Sequence, residues 1–109
     1  MIYDRPIEIA RLGGGEGPLD RKLTVVSRHY CAELNVYRST YFEWAQTGET
    51  VERMVQLPRF GEIDATMYAI ANEHVFRILR AQPTKDEDGR EVYVLTLKRE
   101  EARYDVFRA

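Results

Sequence analysis

The side chains best suited to metal or nucleophilic chemistry are few: His29, His74 and a single cysteine, Cys31. The histidines stand 45 residues apart and lack the paired, closely spaced ligands of a structural zinc site. Cys31 on a strand could act as a nucleophile with a distant histidine as base. A lone cysteine is more often a small buried hydrophobe, and we read it so. The run "LGGGEG" follows a strand, as a phosphate loop would, but no Lys-Ser/Thr follows the glycines. Pro18 and a further β segment stand where a phosphate-holding helix should begin, so a hairpin loop is the better reading. In "TKDEDGREVYVL", Gly89 at a sixth position would set Asp86 and Asp88 on calcium-ligand positions. The first position is then Thr84 and the twelfth Leu95, which cannot ligate bidentately, so this too reads as a turn. The acidic pair Glu100–Glu101 reads as surface charge. We therefore expect no enzyme, no cofactor and no metal.

One binding chemistry has more material. Tyr30, Tyr37, Tyr68 and Tyr93, with Arg28, Arg38, Arg53 and Arg77, could form the stacking platform and basic groove of a single-strand nucleic-acid-binding barrel. A net charge of −2 argues against it, because phosphate binding calls for a basic surplus.

These residues must be placed by one small domain, since 109 residues leave no room for a second sizeable one. The composition, 44 % hydrophobic and 31 % charged, is that of a globular protein with a real core. No apolar run approaches the roughly 20 residues of a membrane span. The N-terminal "MIYDRPIEIA" lacks the layout of a signal peptide, and one cysteine excludes an intrachain disulfide. A cytoplasmic chain is the expectation.

Hydrophobic alternation supplies the elements. In "RPIEIARL" (5–12), Ile7 and Ile9 point one way, Glu8 and Ala10 the other, which predicts a strand with one wet face. The Gly- and Pro-rich "GGGEGPLDR" (13–21) is a loop. The segment 23–38 is β-rich, and "TVERMVQLPRF" (50–60) sets Val51, Arg53, Val55 and Leu57 on one side, with Pro58 ending the ladder. Strands follow at 67–71, 74–80 and 91–98, joined by tight turns at Asn72–Glu73 and Asp88–Gly89. Six strands with local connections predict a small antiparallel β-barrel or sandwich over residues 1–99, with a tail over 100–109.

One stretch breaks the alternation. In "STYFEWAQTGE", Thr40 and Glu43 have the spacing of a capping box, and Tyr41, Trp44 and Ala45 share one helical face. Gly48 is placed to end the turn. We expect a short helix near 40–47 whose Tyr41/Trp44/Ala45 face caps one end of the barrel, leaving Phe42 off that face.

The order of these features resembles the head-closure (head–tail adaptor, or stopper) proteins of tailed phages. "HYCAELNVYRSTYFEWAQTGE" is similar to that family's aromatic-Ala-Glu-aliphatic strand, here Tyr30, Ala32, Glu33 and Leu34. In the family this strand leads through a polar turn, here Ser39, into a short helix, here with Tyr41, Phe42, Ala45 and Gln46. "TVERMVQLPRF", "MYAIANEHVFRILRA" and "EVYVLTLKRE" resemble its later strands, so the likeness spans about residues 6–99. The resemblance implies a non-enzymatic virion neck subunit. Copies of a small barrel would form a ring beneath the portal and its adaptor, close the DNA channel and offer the tail a docking surface. DNA would pass without sequence-specific binding, and assembly would take place in the cytoplasm of the bacterial host. A tail-completion or tail-terminator ring is the alternative.

A cyclic ring presents two different patches per subunit. Candidate contact residues are Tyr41 and Phe42 on the helix, Gly14 and Glu16 in the loop, and Tyr104, Val106 and Phe107 in the tail. Loop 13–21 is expected to be mobile in the isolated protein and ordered by a neighbour. The same expectation extends to the hairpin tip 85–90 and the tail 104–107.

Overall fold

The computed structural model of the chain describes residues 2–13 and 21–108. Its strands are β1 (Arg5–Leu12), β2 (Lys22–Leu34), β3 (Arg53–Pro58), β4 (Met67–Ala71), β5 (His74–Lys85), β6 (Glu91–Arg99) and β7 (Asp105–Phe107). Helix α1 (Arg38–Ala45) lies between β2 and β3. Six strands pair antiparallel in the order β1-β4-β5-β6-β3-β2, and β2 returns to β1 to close a barrel. β7 stands outside it, parallel to β2. The all-β class with one short helix is thus the observed one.

Period-two alternation fills the barrel. Ile7, Ile9, Val55, Leu57, Ile78, Leu95 and Leu97 are sealed in one central cluster. Each end of the barrel is closed by a charged pair laid over an aromatic ring. Arg53 pairs with Glu33 and stacks 5.3 Å above Phe76. At the other end Arg59 pairs with Glu62 and lies 5.3 Å over Tyr93, whose hydroxyl donates to Glu62 at 3.0 Å.

The turns follow their residues. Asn72 (φ 52°) and Glu73 (φ 65°) are both left-handed, as a two-residue hairpin between right-twisted strands requires. β3 ends at Pro58 and β4 spans 67–71, both as read from the sequence.

Several expectations need correction. β2 stops at Leu34, because its pairing with β3 ends at Leu34 opposite Met54, although the alternation continues to Tyr37. β5 runs past Arg80 to Lys85, carried by pairing along the whole length of β6. The outer face of β1 is wet only in part: Pro6 and Leu12 are exposed and Glu8 partly so, whereas Ala10 is fully buried in a second apolar cluster with Leu23 and Ile70, on the barrel's outside. The tail covers that cluster, with Tyr104 and Val106 packed against it. A bulge makes this possible, since Ile9 pairs with Ser27 but Ala10 with Val25, leaving Val26 unpaired. Leu23 and Val25 thereby turn outward, while Ser27 and His29 face the interior. The tail is therefore placed on its own barrel rather than held loose for a neighbour.

Candidate functional site

Helix α1 is the feature least used by the fold. It begins at Arg38 with Tyr37 at the N-cap and no side-chain cap, so the expected Thr40–Glu43 capping box does not form. Thr40 lies within the helix, where its hydroxyl cannot reach the first free N–H groups. The C-terminus agrees with expectation. Gly48 (φ 82°) donates to the Ala45 carbonyl and Glu49 to the Trp44 carbonyl, both at 3.1 Å, the pattern of a left-handed glycine cap.

No residue of the helix is buried, which overturns the reading of Tyr41, Trp44 and Ala45 as a core-filling face. The reason lies beneath it. The outward side chains of β5 and β6 on this flank include Arg77, Arg80 and Lys98, with the buried Thr96 opposite Arg80, a polar and charged surface that takes up only part of one aromatic ring. Trp44 is half-buried against Arg80, whose guanidinium carbon sits 6.0 Å from the ring centre, and Arg80 also pairs with Glu43. Glu49, just past the glycine cap, accepts from both Lys98 (2.7 Å) and Arg77 (2.5 Å). Those two cations hold the Glu49 carboxyl below its ordinary range. Ionic contacts and one stacked indole thus moor α1 to the barrel.

Phe42 is 54 % exposed and Tyr41 43 %. Their rings meet edge to face at 5.9 Å, and Arg38 lies 6.0 Å from the Phe42 centre. This is a preformed aromatic knob. In the tail, Tyr104 packs against Tyr68 (5.5 Å between rings) and Val106 joins the same outer cluster, while Phe107 remains half-exposed beside Lys22. Gly14 and Glu16 lie outside the described residues.

The residues considered for chemistry are dispersed. Cys31 is buried in the core, and burial pushes its thiol up. His29 Nε2 shares a 2.8 Å hydrogen bond with Ser27 Oγ, and burial lowers its pKa. His74 is exposed at the start of β5. Among the described residues no cluster of three or more His, Cys, Asp or Glu could hold a metal ion. The turn 86–90 is tied by Asp86, which accepts from the backbone N–H groups of Asp88 and Arg90.

The four tyrosines of the nucleic-acid reading share no platform. Tyr93 is buried at a barrel end and Tyr68 lies under the tail, while Tyr30 and Tyr37 are exposed. Arg28, Arg53 and Arg77 are each paired with a carboxylate.

Sequence reasoning missed an ionic cluster outside β1. Glu8 accepts from Arg28 at 3.2 Å and from two nitrogens of Arg108, the nearer at 2.9 Å. Arg108, followed by Arg28 and against the effect of burial, keeps the Glu8 carboxyl below its usual range. A cleft of about 480 Å³ opens beside it, bordered by Tyr30, Ile70 and the 72–73 turn. No local signal marks a contact between residues 8 and 108.

The chain matches no protein-family model. It matches none of the curated proteins.

Proposed function

We propose that this chain is a structural, non-enzymatic subunit of a virion neck, forming a ring below the portal and its adaptor in a tailed phage or prophage. There it would close the DNA channel and offer the tail a docking surface. The observation that carries this reading is α1. Eight ordered residues bear three aromatics, of which the chain half-buries Trp44 and leaves Tyr41 and Phe42 exposed. Ordering such a helix costs conformational entropy that its few ionic moorings repay weakly. An aromatic knob of this kind is accounted for when a neighbouring subunit buries it, because interface cores are rich in Tyr, Trp and Phe.

Other features support the same reading. The closed barrel with one short helix between strands is the architecture that the resemblance over residues 6–99 implies. A subunit of net charge −2 suits a channel wall past which DNA must slide. In a cyclic ring the knob of one copy meets a different patch on the next, so Tyr41 and Phe42 form one half of the contact and Phe107 marks a candidate for the other.

Deleting the reading frame from the phage or prophage that carries it, then imaging the lysate by electron microscopy, tests the proposal. Free tails beside heads that have packaged and lost their DNA are expected. Normal tailed particles would end the neck assignment.

A further inference from the structure

We propose that the edge of β2 between Val25 and Cys31 is a docking site for an extended strand of another polypeptide, one that carries a carboxylate between two apolar residues. This inference names a strand and its chemistry, and it stands whether or not the neck reading holds.

The first observation is register. On one edge β2 pairs with β1 from Leu23 to Cys31. On the opposite edge β7 pairs only with Lys22–Thr24 and β3 only with Ala32–Leu34. Among the described residues nothing pairs with Val25–Cys31 on that edge. At about 3.3 Å per residue the vacancy is roughly 20 Å long, enough for a strand of five or six residues laid end to end between β7 and β3.

The second observation is solvent access. Ser27 and His29 face inward, opposite Ile9 and Ile7, which are sealed. Yet Ser27 and His29 are half-exposed, as expected where the wall beside them lacks a strand. The third is shape: a groove of about 300 Å³ lies along this edge, lined by Val25, Val26, Ser27 and Arg28.

Charge selects the occupant. Arg28 and Arg108 share the single carboxylate of Glu8, so two positive charges face one negative. Glu73 borders the same cleft, but no ion pair joins it to either guanidinium. The outward neighbours of Arg28 along the strand are Val26 (49 % exposed) and Tyr30 (63 %). An incoming strand would therefore set an acidic side chain beside Arg28 and apolar ones beside Val26 and Tyr30. The β2 strand of a second copy fits poorly, because antiparallel self-pairing centred on Arg28 opposes two like charges.

Isotope-labelled full-length protein would be titrated with the acetylated, amidated peptide Thr-Val-Thr-Glu-Thr-Val-Thr and followed by amide NMR and hydrogen exchange. We expect shifts and slowed exchange confined to residues 25–31 and their neighbours on β7 and β3. A peptide with Lys in place of Glu should bind about fivefold more weakly, equivalent to about 1 kcal/mol. In Arg28→Glu the preference should invert, and in Arg28→Gln it should vanish. The exposed side chain makes both variants compatible with the fold. Alternate amides of 25–31 bond to β1 and are protected in any case. Protection in the dilute free protein of the intervening amides, which point away from β1, would show that the chain covers its own edge and would overturn the proposal. So would protection that appears with protein concentration alone, which assigns the edge to a second copy. Absence of peptide binding, or binding indifferent to the Glu/Lys exchange, would overturn it as well.

Discussion

Two appendages of the barrel, α1 and the C-terminal strand β7, have opposite fates. The helix is rich in aromatics and buries none of its residues. β7 has three residues, yet with Tyr104 it seals a second apolar cluster. The difference lies in the surface beneath each. Under β7 the barrel shows Ala10, Leu23 and Ile70, so apolar area leaves water on both sides of the contact. Under α1 it shows Arg77, Arg80 and Lys98, whose charges must stay solvated or paired. Burial is decided by the complementarity of two faces, and the hydrophobicity of one segment says only half of it.

Mutation can break this contrast. Leu23→Ala should have the largest effect, a loss of about 2–4 kcal/mol in urea unfolding, because Leu23 is fully buried although it lies outside the barrel. A loss below about 1 kcal/mol would mean that the outer cluster collapses around the gap and is not a true second core. The strap should also fail in alkali. Tyr104 is pushed up to about 12, first by burial and then by its hydrogen bond to Tyr68. An acid with a raised folded pKa favours the fold below its unfolded value near 10, and that contribution is lost as pH rises toward 12. Absorbance titration should find a late tyrosine ionisation, and Tyr104→Phe should remove that step.

Smaller effects sharpen the other side. Gly48→Ala should cost about 1–2 kcal/mol, because a φ of 82° strains any side chain, and helicity near 222 nm should fall with it (the wavelength being about that of helical peptide absorption). His29 is held below its ordinary pKa by burial, so its contribution is present above the unfolded value near 6.5 and declines as pH falls through and below it. In His29→Gln that mildly acidic decline should be absent from the stability profile. Phe42→Ala should change stability least, within about 0.5 kcal/mol, since the ring is half-exposed. If it unfolds the monomer instead, α1 belongs to the core and the contrast with β7 disappears.

Much of the fold is legible in the chain. Asn72–Glu73 announces a hairpin, Pro58 ends β3, and Ile7, Ile9, Val55 and Leu57 alternate as core residues do. The candidate surface is legible in part. Gly48 stops the helix as its type suggests, whereas the helix starts earlier than expected, because a Thr-x-x-Glu spacing cannot tell whether Thr40 lies at the cap or three residues beyond it. The bulge at Val26 left no mark in the alternation, though it turns Leu23 outward and gives the tail a surface to cover.

The sequence by itself determined the period of β1, β3 and β4, the sites of the tight turns and the absence of any close-spaced ligand set among its two histidines and one cysteine. These depend on residues near one another along the chain, where side-chain chemistry and local backbone preference suffice. Only the tertiary structure decided that Glu8 meets Arg108, that the tail packs on β2, that α1 leaves Tyr41 and Phe42 exposed, and that no described residue pairs with the β3-side edge of β2 between Val25 and Cys31. Each of those depends on which distant face comes to lie opposite. Closure of the barrel sets that arrangement for the whole chain at once, and no short window of residues records it.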